Sequence, residues 1–149
     1  MIELRFEPLE GAWDVEAPEQ AEPADVEYGM FYCRIFFRVD GAYLLGSEAG
    51  PGPASMPLLG FGPRVLQKLR LLQSGARDQL TMDDSGWLYL HEHDGLVNMA
   101  TSSFRRGVDA PHHEAIAAFE SFNTKIKRTV SECAPAMLRH PQWRYWFPD

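Results

Sequence analysis

Residues 28–45 read YGMFYCRIFFRVDGAYLL. Phe31, Cys33, Ile35, Phe37 and Val39 fall on one side of an extended chain, and Tyr32, Arg34, Phe36 and Arg38 on the other. A period of two sustained over this length predicts a strand from Tyr28 to Val39 with one face in a core. Asp40-Gly41 supplies two residues that tolerate positive φ, as a type I′ turn requires, so Ala42 to Leu45 is predicted to return antiparallel. This hairpin commits the chain to an antiparallel sheet.

The same period appears upstream, where Ile2, Leu4 and Phe6 alternate with Glu3, Arg5 and Glu7 until Pro8 ends the run. Residues 14–25 hold Pro18, Pro23 and five carboxylates, the composition of an exposed acidic loop. Downstream, residues 46–62 contain five glycines and three prolines and read as a long Gly/Pro-rich loop. Pro63 suits a first helical turn, and Val65, Leu66, Leu69 and Leu72 give that helix an apolar face ending at Gly75.

A meander follows. Gln79 to Met82 turns through Asp83-Asp84-Ser85-Gly86 into Trp87 to His93, and Asp94-Gly95 leads into Leu96 to Thr101. Asp109 is an expected N-cap, with Pro111 in the first turn of a long helix running to about Ala134. Ile116, Phe119, Phe122 or Asn123, Ile126, Val130 and Cys133 form its buried stripe. The tail Trp143-Arg144-Tyr145-Trp146-Phe147 is too aromatic to remain in water and is expected to pack back onto the sheet. The sum is a single α+β domain over 1–149: one antiparallel sheet of about six strands, with a short middle helix and a long C-terminal helix on one face.

At 149 residues with 45% hydrophobic and 12% aromatic content, the chain can bury a substantial core, which excludes global disorder. The opening residues lack the apolar run of a signal peptide, and no stretch is apolar over about 18 residues, so a soluble cytoplasmic protein is expected. Its two cysteines, Cys33 and Cys133, read as buried free thiols.

Charge is segregated. Residues 1–27 carry nine acids (Glu3, Glu7, Glu10, Asp14, Glu16, Glu19, Glu22, Asp25 and Glu27) against Arg5 alone, whereas the remaining residues carry twelve acids and thirteen bases. An anionic stretch beside a near-neutral body points to a basic partner and argues against nucleic acid. The alternative is self-docking of the acidic stretch on the body, or its plain solvation. Basic residues cluster only at Arg105-Arg106 and at Lys125, Lys127 and Arg128, with no adjoining aromatic platform.

Catalytic signatures are missing. There is no Gly-x-Ser-x-Gly elbow and no Ser-x-x-Lys, and no Lys-Ser or Lys-Thr follows the glycine-rich loop. Leu90-His91-Glu92-His93-Asp94 is the most chemical segment. His91 and His93 share a strand face and, with His112 and a carboxylate such as Asp94 or Glu114, would make a zinc set. Adjacent histidines in a helix diverge by about 100°, and Asp94 serves the turn better. The bland reading is that Trp87, Tyr89, His91 and His93 form an ordinary strand face, so no metal or other cofactor is expected.

The layout of strands, short helix, meander, long helix and Trp-rich end resembles small acidic α+β immunity proteins that bacteria pair with polymorphic or contact-delivered toxins. That resemblance implies a non-catalytic cytoplasmic inhibitor that occludes a toxin's active site, acidic side chains plugging a basic cleft. It carries over no individual residue. From charge and aromatic content, the expected contact surface is Trp13, Asp14, Glu16, Glu19, Glu22, Asp25, Glu27 and Tyr28, with Met56, Leu58 and Phe61 as apolar support. Two other readings stand beside it: a metal-dependent or small-molecule enzyme using the His91/His93 face, and a homo-oligomeric scaffold joined by a sheet edge or the aromatic tail.

Overall fold

The computed structural model of the chain describes residues 1–46, 54–82 and 86–148. The predicted hairpin is present, but its first strand begins at Tyr32 rather than Tyr28, because Tyr28 ends a helix and Phe31 takes φ 55°. Strand β2 (Tyr32–Val39) turns through Asp40 (φ 49°) and Gly41 (φ 85°) into β3 (Ala42–Leu45). Strand β1 (Ile2–Pro8) lies antiparallel on the other side of β2, with Ile2, Leu4 and Phe6 opposite Val39, Phe37 and Ile35. Cys33, Ile35, Phe37 and Val39 are all buried, as the alternation requires. On the opposite face Phe36 is also buried, because the Arg5 guanidinium lies 3.9 Å from its ring centroid.

The single six-stranded sheet is not what forms. There are two four-stranded antiparallel sheets. The first gains β4 (Ala54–Pro57) from within the predicted Gly/Pro loop, paired with the N-terminal half of β2 while β3 holds the C-terminal half. Residues 47–53, including Gly50-Pro51-Gly52-Pro53, lie outside the described residues, as does most of the predicted turn at 83–85. The second sheet is the meander β5 (Arg77–Thr81), β6 (Trp87–His93), β7 (Leu96–Thr101) and β8 (Phe104–Pro111). Its links are short turns, whereas helix α2 (Gly62–Leu71) separates β4 from β5. That crossover frees β5 to start a new sheet rather than extend the first.

Asp109 lies within β8, so it is not the N-cap. Pro111 takes that position, and α3 runs His112–Cys133. Of the predicted stripe, Phe119, Phe122, Asn123, Ile126 and Val130 are buried, but Cys133 is exposed at the last turn. Cys33 alone is a buried thiol, and burial raises its pKa strongly. Helix α3 touches β1 of the first sheet and β7 and β8 of the second, with α2 alongside it. Where they meet, Gly62 has no room for a side chain: a Cβ would lie 2.5 Å from Ile126 Cδ1 and 2.6 Å from Asn123 Oδ1. One hydrophobic cluster runs through both sheets, and the Thr101 hydroxyl on β7 donates to Leu44 O on β3 at 2.8 Å to join them. Among the described residues, no helix is long and apolar enough to cross a membrane.

Glu92, on the inner side of β6, ties two turns to the sheet. Its carboxylate accepts from Gly95 N at 2.9 Å and Gly75 N at 2.7 Å, and these bonds lower its pKa. A lowered folded-state pKa contributes stability above the ordinary glutamate value of 4.5, and that contribution disappears as pH falls through the lower folded value. Glu92→Gln is therefore expected to lower the melting temperature at pH 7 by several degrees and to converge on the wild type below the folded pKa. Equal melting temperatures at pH 7 would show that the carboxylate contributes nothing.

Candidate binding surfaces

The acidic segment is ordered rather than an open loop. It contains a 3-10 turn (Pro18–Gln20) and helix α1 (Pro23–Tyr28), the latter started by a proline whose missing N–H costs nothing there. Its apolar groups dock inward. Trp13 stacks on Phe6 with centroids 6.1 Å apart, meets Phe31 edge-on, and donates its indole N–H to Tyr32 O at 2.9 Å. Pro18 and Val26 are buried. Asp14, Glu16, Glu22 and Asp25 point the other way, exposed, and among the described residues none of them forms an ion pair. Glu19 is half-buried. The apolar side of the segment thus docks on the body while these four carboxylates face out.

Tyr28, at the end of α1 and next to Glu27, borders a cavity of about 340 Å³. Arg64 on α2 pairs with Glu27 at 3.8 Å, reaches Gly60 O at 3.2 Å, and lies 5.3 Å from the Tyr28 ring centroid. Burial raises the Glu27 carboxyl above its usual pKa while Arg64 opposes the shift. Tyr28 itself is half exposed. The expected apolar support is placed differently: Met56, Leu58 and Phe61 are each at most 1% exposed. Met56 contributes a wall of the cavity, but Phe61 is locked among Phe37, Phe119 and Phe122. Large apolar side chains beside a Pro-rich connector find the core before they find solvent.

The aromatic tail is also placed differently from expectation. Among the described residues, helix α4 (Pro141–Trp146) packs chiefly on α1 and on the 3-10 turn Pro135–Arg139 rather than on a sheet. Buried His140 fastens the two ends of the chain, donating from Nε2 to Ala21 O at 2.5 Å and accepting from Gln142 N at 3.0 Å through Nδ1.

The three candidate zinc histidines do not converge. His91 and His93 are neighbours on β6, their ring centroids 5.5 Å apart, but His112 Nε2 donates to Leu69 O at 2.7 Å. Among the described residues, no group of three His, Cys, Asp or Glu side chains is placed to hold a metal ion. His93 instead meets Asp109 at 3.3 Å, and Asn98 donates to the same Asp109 oxygen at 2.9 Å. The Asn98 bond first, then His93, lower the Asp109 pKa.

What the sequence reading missed is the company that strand face keeps. Antiparallel register sets Gln79, Tyr89 and Ala100 in one row across the second sheet, and Arg77, His91, Asn98 and Asp109 in the next. Trp87 and Tyr89 are 40% and 42% exposed, and an open groove of about 780 Å³ runs past Tyr89 and His91 between Arg77 and Arg105. Counting outward from the Asp94-Gly95 turn would have paired Tyr89 with Ala100 and His91 with Asn98. The arginines come from strands whose pairing no local pattern announces. Comparison of the chain with protein-family models, with curated proteins and with solved structures found no match.

Proposed function

We propose that the protein is a non-catalytic inhibitor of another protein, of the bacterial immunity kind, acting in the cytoplasm by covering a basic cleft of a cognate toxin. One observation carries this reading. The acidic segment is held by Trp13, Pro18 and Val26, while Asp14, Glu16, Glu22 and Asp25 project from it with no ion-pair partner among the described residues. A fixed anionic surface loses little entropy on meeting a cationic one and steers the encounter from a distance. Tyr28 adds a half-exposed aromatic group at the edge of the same surface, the residue type that dominates interface energetics.

The test pairs stability with binding. Replacing Asp14, Glu16, Glu22 and Asp25 by their amides is expected to change stability by less than about 1 kcal/mol per site, since exposed charges contribute little. The same variant should associate more slowly with the toxin and lose most of the salt dependence of association. Co-expression with the product of the neighbouring gene supplies the partner. A neighbour harmless to cells lacking this protein, or one that never co-purifies with it, would end the proposal.

A further inference from the structure

We propose that the outer face of the second sheet binds single-stranded nucleic acid, with Tyr89 and Trp87 as stacking platforms and Arg77 and Arg105 as phosphate contacts. The site is distinct from the acidic edge. Trp87 and Tyr89 are two residues apart on β6 and so share a face, about 7 Å apart along the strand. That is wider than the 3.4 Å of stacked bases, so it suits a strand whose bases are splayed, each on its own ring. Ala100 stands opposite Tyr89 and leaves the ring uncovered.

Arg77 on β5 and Arg105 on β8 sit on opposite sides of the groove, and among the described residues neither forms an ion pair. Of the carboxylates nearest the groove, Asp109 is already held by Asn98 and His93, and Asp78, which lines it, pairs with Lys68 at 3.2 Å. A protein partner would call for an apolar centre, yet the large aliphatic residue lining the groove, Leu90, is 1% exposed and turned into the core. Rings, guanidiniums and amides fit bases and phosphates better. The net negative charge of the chain does not oppose this, because it resides in the first 27 residues, which join the first sheet through β1 and pack through the 3-10 turn Pro18–Gln20 and α1 on the 3-10 turn Pro135–Arg139 and on α4. Sequence order concealed the platform, because its rings and arginines come from three different strands.

The probe is a fluorescein-labelled twelve-nucleotide oligothymidylate, read by anisotropy with the full chain. Saturable binding is expected at low salt, weakening about sevenfold from 50 to 200 mM, as two phosphate contacts to a single strand imply. Tyr89→Ala should weaken binding by about fivefold to 150-fold, and Tyr89→Phe should restore it, because stacking needs the ring and not the hydroxyl. Arg77→Gln should flatten the salt dependence. Both side chains are exposed, so unchanged melting curves will confirm folded variants. The proposal falls if no saturable binding occurs up to about 100 µM, the weak end of non-specific affinity. It also falls if a duplex of equal length binds as well, or if Tyr89→Ala binds like the wild type. Equal displacement by a polyglutamate peptide would overturn it in favour of an acidic protein partner.

Discussion

Removing residues 142–149 is expected to leave a chain that aggregates or fails to fold. The deleted segment contains Trp143, which is 3% exposed, and Phe147, whose ring centroid lies 4.5 Å from that of Trp143. It also removes most of α4, the helix that covers α1, and the Gln142 amide that reaches Glu27 at 3.4 Å. Truncating one buried tryptophan costs about 3–5 kcal/mol, a large part of the roughly 5–15 kcal/mol by which domains are stable. Loss of the helix also leaves Val26 and its neighbours on α1 partly uncovered. The substitution Trp143→Ala isolates the packing contribution and should lower the melting temperature by roughly 6–20 °C. A truncated protein that stays monomeric with an unchanged melting temperature would show the tail to be a free binding peptide.

Phe119→Ala is expected to cost about 3–5 kcal/mol in urea melts. Phe119 is fully buried on α3 and meets Phe37 of β2 at 5.6 Å, Phe61 at 5.7 Å and Phe122 at 6.2 Å, all near edge-to-face. These rings join the long helix to the first sheet and to the start of α2. Removing the central one leaves a cavity that three rigid neighbours cannot collapse into, and forfeits edge-to-face contacts worth about 0.5–1.5 kcal/mol each. Phe119→Leu should cost much less, because most of the volume is kept. A cost below about 1 kcal/mol for the alanine variant would mean that the cluster does not hold helix and sheet together.

Elements with an unbroken local period were legible. The β2–β3 hairpin, β6, β7, α2 and the buried stripe of α3 follow from alternation, turn residues and apolar spacing within each segment. Short elements under prolines were not. Pro23 reads as a loop residue but starts α1, and β4 hides its alternation between Pro53 and Pro57. At the candidate surfaces, exposure of Asp14, Glu16, Glu22 and Asp25 followed from residue type, whereas the half-exposure of Tyr28 and the burial of Met56, Leu58 and Phe61 depended on tertiary packing.

By itself the sequence determined six of the eight described strands, the two main helices and the segregation of charge, because each is written in neighbouring residues whose hydrophobic period or turn chemistry acts locally, whereas β4 and β8 were not legible. Tertiary structure alone decided that the strands divide into two sheets. It also decided that His112 turns away from His91 and His93, that the tail clasps α1, and that Arg77 and Arg105 flank the Tyr89 ring. Those outcomes depend on which strand edges pair and which apolar faces meet. Such choices are settled by burial summed over the whole chain, and no short window of sequence contains that sum.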